Sequence, residues 1–195
     1  MILSNRAIQE ALDEKRLIID PEPKPRRPST EAPDCPYGTT SVDLRLAPTV
    51  SIPKKGAYAF DLKNGKIAEF LAQSCEHIDF AKSGSYTLDR GAFILGQTME
   101  YVALPLVTGK PTLAARIEGK SSCARCGILV HFTAPTVHAG FAGKLTLEIA
   151  NLGSCAFVLR PGEPICQLIL EQVEGEPFES PSQFQGQKTP PGTHG

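Results

Sequence analysis

No stretch of this 195-residue chain approaches the ~20 consecutive apolar residues a membrane-spanning helix needs, and Met1 to Arg16 carries several charges. The protein is therefore expected to be soluble and cytoplasmic, with no membrane partner. Charge of one sign is also lacking: 20 basic and 21 acidic residues leave a formal net charge of -1. No long-range field draws the chain to nucleic acid, so any anionic ligand must be held by a local site.

Three motifs are incomplete, and each gap removes a class of chemistry. Gly119-Lys120-Ser121 has the end of a P-loop, but Ala114 stands where the first glycine of that motif belongs. Cys123 and Cys126 form a C-x-x-C with no second such pair and no histidines at ligand spacing, and no βαβ pattern surrounds them. A zinc-dependent deaminase would also need H-x-E and a proline before the first cysteine; Ser122 stands there, and H-x-E occurs nowhere. No signal peptide accompanies the six cysteines (Cys35, Cys75, Cys123, Cys126, Cys155 and Cys166), so they are expected as reduced thiols.

The chain is long enough for one sizeable core. Ser4 stands as an N-cap, and Ile8, Ala11 and Leu12 then share a face through about Glu14, which predicts a short amphipathic helix. Six prolines between Pro21 and Pro36 predict an extended linker without regular structure. From Thr40 onward short apolar runs broken by Gly and Pro predict a barrel or sandwich of short strands. These are Val42 to Leu46, Phe93 to Leu95, Tyr101 to Leu104, Leu113 to Ile117, Gly127 to Phe132, Lys144 to Asn151 and Ile165 to Glu171, with a helical turn over Lys66 to Ala72. Residues 1–179 are read as one domain. Ser180 to Gly195, with Phe184 as its single aromatic, is read as a flexible C-terminal lid that only a ligand would order.

The densest cluster of chemistry is Arg116 to Gly127. Gly119 provides a sharp turn, Ser121 or Ser122 can cap a short helical turn, and Lys120 and Arg125 add positive charge, the makings of a phosphate cradle. In Lys144 to Asn151, Leu145, Leu147 and Ile149 share one face, so Glu148 is displayed on the other, either solvated or lining a cleft as a general acid/base. His131, Thr133, Thr136 and His138 surround Ala134-Pro135 in a predicted tight hairpin or loop between two strands.

Taken together, several segments resemble the dCTP deaminase branch of the trimeric dUTPase-like superfamily. They are Ile2 to Arg6, Thr40 to Leu46, Gly91 to Gly96, Glu118 to Gly127, Gly140 to Glu148, Pro161-Gly162, Cys166 to Leu168 and Phe184 to Gln187. Their order and spacing are specific, and they span most of the chain. The resemblance implies a mainly β fold, a distorted jelly-roll-like β barrel with a short N-terminal helix, assembled as a homotrimer with sites between subunits. It implies zinc-independent hydrolytic deamination of dCTP to dUTP and ammonia, supplying dUTP for thymidylate synthesis, with Mg²⁺ on the triphosphate and dTTP as a candidate inhibitor.

The same resemblance gives residues their expected roles. Lys120, Ser121 and Ser122 hold the triphosphate and order the water, Arg125 supports the catalytic centre, and Glu148 takes the proton from water. Thr133, Ala134, His138 and Gln167 are expected against the nucleotide, and the tail closes over it with Phe184 and Gln187. Two positions depart from the family: His138 stands where an aspartate is usual, and Gln183 where a lysine commonly precedes the aromatic. The first disfavours a diphosphatase step to dUMP, which would need His138 as base. Together they motivate a third reading, a non-catalytic pyrimidine-nucleotide-binding trimer.

Overall fold

The computed structural model of the protein describes residues 1–56, 59–178, 180 and 182–193. Helix α1 (Asn5–Asp13) forms as its pattern requires. The Ser4 hydroxyl accepts the Ala7 N–H at 3.4 Å, while Ile8 and Ala11 are fully buried. The helix ends where the N–H groups of Arg16 and Leu17 both donate to the Ala11 carbonyl, and strand β1 (Ile18–Asp20) follows.

The proline-rich segment has no helix or strand, as expected, but it is tied down. The Arg26 guanidinium donates to Glu22 at 2.6 Å and to Asp13 of α1 at 2.8 Å, and Gln9 donates to the Arg26 carbonyl. Arg26 holds the Glu22 carboxyl well below the usual range, at about 2.

Strands β2 (Val42–Arg45) and β3 (Thr49–Pro53) come next, then helix α2 (Ile67–Ser74) and strands β4 (Cys75–Asp79), β5 (Tyr86–Leu88), β6 (Phe93–Ala103) and β7 (Leu113–Gly119). A five-residue helix, α3 (Ser121–Arg125), precedes β8 (Ile128–Leu129), β9 (Thr136–Val137), β10 (Ala142–Asn151), β11 (Phe157–Leu159) and β12 (Pro164–Gln172). The strands make a six-stranded sheet in the order β4-β3-β6-β10-β8 with β1 also on β6, a four-stranded sheet β2-β12-β7-β9, and the pair β11-β5. All pairings are antiparallel. The class is mainly β, as the sequence predicts.

One core joins the sheets. Leu44 of β2, Ile94 of β6, Leu147 and Ile149 of β10 and Leu168 of β12 are fully buried within it. Burying side chains of this size removes ~1.5–3 kcal/mol each of unfavourable hydration. A half-exposed arginine reaches a buried carboxylate: Glu100, with no exposed surface, accepts from the Arg45 backbone N–H at 2.9 Å and from its Nε at 2.6 Å.

Of the tight hairpin or loop expected around Ala134-Pro135, the structure has the loop, between β8 and β9. β9 pairs with β7 in the other sheet, through Ala115 opposite Val137 and Arg116 opposite Thr136, and the chain then returns to the first sheet as β10. This partner is distant in sequence, so local turn chemistry could not reveal it.

In the tail, read from composition as a flexible lid, residues 182–193 lie against β10. The Gly186 N–H donates to the Ala142 carbonyl at 2.7 Å, Lys144 N–H to the Gln187 carbonyl at 3.1 Å, and the Gln187 side chain to the Lys144 carbonyl at 2.7 Å. Pro190, Pro191 and Gly192 are buried. Proline and glycine lose no side-chain entropy on burial, and backbone hydrogen bonds do not depend on composition. Residues 181, 194 and 195 lie outside the described residues.

Candidate active site

The alternation of β10 puts Leu145, Leu147 and Ile149 into the core and leaves Thr146 and Glu148 half-buried on the other face. Glu148 lies opposite Leu95 of β6, and its backbone N–H donates to the Val130 carbonyl. One carboxylate oxygen, Oε2, accepts the Phe132 N–H at 2.9 Å. The carboxylate is thus oriented by a fixed donor, with the second oxygen making no hydrogen bond among the described residues. The loop carrying that donor is fastened at its other end, where the Pro135 carbonyl accepts the Ile117 N–H of β7.

Helix α3 presents Ser121, Ser122 and Arg125 to solvent at the end of β7. Lys120, at its N-cap, is not a free cation: its ammonium pairs with Asp43 of β2, and both side chains are mostly buried. β12 lies between them, and Gln167 there is opposite Asp43 on one side and Glu118 on the other. Thr133, Ala134 and His138 are exposed, and Phe132 packs edge-on against Phe93 with ring centroids 5.7 Å apart. Phe184 is half-buried against the tail's own Gly192, and Gln187 is buried with its side chain on β10. A Cβ on Gly192 would fall 2.6 Å from the Phe184 ring, so this glycine admits the ring.

The expected catalytic residues therefore occupy two places. Among the described residues no hydrogen bond or ion pair joins Glu148 to Lys120, Ser121, Ser122 or Arg125. Arg125 instead lines an open cleft of about 610 Å³ with Arg90, Cys126, Gly127, Leu152, Gly153 and Cys155.

Comparison with known proteins decides the family. Residues 2–173 match the model of the dCTP deaminase-like family. The chain belongs to the dCTP deaminase-like family. Relatives in it include the dUMP-forming dCTP deaminase of Methanobrevibacter smithii, 34% identical over 87% of this chain and 79% of that protein. The dUMP-forming dCTP deaminase of Coprothermobacter proteolyticus is 35% identical over 99% of this chain and 95% of its own. The crystal structure of 2'-deoxycytidine 5'-triphosphate deaminase from Agrobacterium tumefaciens shares the fold, with a TM-score of 0.59 at 21% identity. That alignment covers 87% of this chain and 47% of the other.

Within this dCTP deaminase-like chain, Asp43 and Phe132 escaped the sequence reading. Asp43 was legible in outline, since Val42, Leu44 and Leu46 are the core face and Asp43 must point the other way. The Phe132 donor was not, because a backbone N–H leaves no mark on composition. Two glycines also matter: a Cβ on Gly153 would lie 2.2 Å from the Cys126 carbonyl oxygen, and one on Gly127 2.6 Å from Gly153 N. Gly153→Ala is therefore expected to lower unfolding free energy by ~2–3 kcal/mol, since backbone must move. Urea unfolding measures it, and an unchanged midpoint would show that the two backbones separate at no cost.

Proposed function

We propose that this protein hydrolyses the exocyclic amino group of dCTP, converting dCTP and water to the uracil nucleotide and ammonia. The observation that carries this reading is the Glu148 carboxylate, half-buried, held through one oxygen by the Phe132 N–H and open at the other. A carboxylate oriented in this way suits general acid–base work, which contributes ~10²–10⁴ in rate. Glu148 takes a proton from the water that adds to C4 and returns protons to N3 and the departing ammonia. Lys120, Ser121 and Ser122 hold phosphate oxygens, and Arg125 supports the developing charge.

The reading includes a homotrimer with its sites between subunits. Glu148 and the α3 residues occupy separate places in one protomer, and the exposed edges of Phe93 and Phe132 beside Glu148 give an apolar surface for a second copy to cover. Among the described residues no group of three or more His, Cys, Asp or Glu side chains gathers. A Mg²⁺ ion would then take its oxygens from the triphosphate and water and neutralise phosphate charge. dTTP, which carries the same triphosphate, is the proposed inhibitor.

A second reading continues to dUMP and pyrophosphate. The names of the M. smithii and C. proteolyticus relatives favour it, and exposed His138 would serve as the base for the attacking water. Incubation with dCTP and Mg²⁺, followed by chromatography, tests both. Ammonia should appear in step with dUTP, or with dUMP and pyrophosphate if the second step operates. Absence of ammonia at high protein concentration would remove the deaminase reading.

A further inference from the structure

The two exposed cysteines of the six, Cys126 and Cys155, line the same cleft. The other four are withdrawn: Cys75 and Cys166 are buried, with their thiols pushed up by burial, Cys35 donates to the Pro25 carbonyl, and Cys123 packs against the core. Nothing in the proposed chemistry uses either exposed thiol.

The backbone places both at the same end of the β8–β10 ladder. The β8–β10 ladder ends with Asn151 opposite Ile128, and the next rung forms as Leu152 N–H donates to the Gly127 carbonyl at 2.8 Å. Gly153 then faces Cys126 so closely that no side chain fits between. Immediately afterwards the chain folds back. The Asn151 side chain accepts the Gly153 N–H at 2.9 Å and donates to the Cys155 carbonyl at 2.8 Å, which ties Cys155 back to the last residue of the ladder, two residues from the glycine that faces Cys126.

We propose that Cys126 and Cys155 form a reversible oxidation site, closed to a disulfide by a hydroperoxide. The sulfur of one thiol bonds a peroxide oxygen, the O–O bond breaks, and water leaves a sulfenic acid. The second sulfur attacks the first, the S–S bond forms, and the hydroxide expelled leaves as a second water. Two thiols lose two electrons and two protons while hydrogen peroxide becomes two waters. Cys126 caps α3 immediately after Arg125, so the new bond holds the end of that helix to the 152–155 loop. This regulation rests on the proposed deaminase reading; the disulfide itself does not.

The test is treatment of the full chain with hydrogen peroxide, then peptide mapping by mass spectrometry without reductant. A single Cys126–Cys155 linkage, two hydrogens lighter and reversed by dithiothreitol, is expected. Cys155→Ser should lose the linkage while keeping the reduced protein's activity. Deamination should fall about tenfold on oxidation and recover on reduction, since small displacements of positioning groups cost rate steeply. A Cys123–Cys126 linkage, disulfides only between chains, or irreversible acids alone would overturn the proposal. A correct linkage without dCTP turnover in either state would instead count against the deaminase reading.

Discussion

Glu148→Gln is expected to lower the deamination rate by about 10³-fold while leaving substrate binding within about threefold. The amide has the carboxylate's shape and keeps an oxygen for the Phe132 N–H, so the loop and β10 should remain in place. What it loses is the ability to carry a proton at the other atom. Steady-state kinetics with dCTP, a nucleotide-binding titration and a melting curve separate the outcomes. Undiminished turnover would remove Glu148 as proton carrier. A protein that no longer melts cooperatively would mark the glutamate as structural.

Ending the chain at Ser182 is expected to lower turnover about 100-fold, as removal of a closing segment does when it excludes water and positions substrate. The rest should stay folded, because no described residue of the tail belongs to the hydrophobic core. Stability should fall by only ~1–3 kcal/mol, the order expected for the few hydrogen bonds lost at Ala142, Lys144 and Thr146. Rates on dCTP and urea unfolding measure both. Full activity in the shortened chain would show that the tail is only a strut, and collapse of the fold would show that it is part of the core.

The parts of this fold written in local periodicity were legible in the sequence. β10 was readable within two residues because its leucines and isoleucine alternate without interruption, and α1 because its cap and apolar face agree. β6 was read as two pieces because Gly96, Gln97 and Thr98 interrupt the apolar pattern. Yet all belong to one strand, in which buried Thr98 accepts the Leu145 N–H and donates to the Glu100 carbonyl. The three-residue strands β1, β5 and β11 are too short to carry a period.

At the site, Glu148 was located by strand alternation, while the pairing of Lys120 with Asp43 depends on β12 lying between their strands, a long-range fact. The tail lies on β10 through a long-range fact of the same kind. Its docking depends on Gly143, where a Cβ would sit 3.2 Å from the Gln187 backbone, and nothing in the tail's own composition records that space.

The pairing of Lys120 with Asp43 changes what nucleotide affinity measures. On the proposed function a phosphate reaching Lys120 meets a cation already compensated, so binding there is an exchange of one anion for another. The free energy gained is the difference between two partnerships, less the cost of leaving Asp43 half-buried beside whatever replaces the ammonium. A singly charged ligand has little with which to compete, whereas a polyphosphate brings more charge to the same contest. Selectivity for chain length can therefore reside in an internal carboxylate that never touches the ligand.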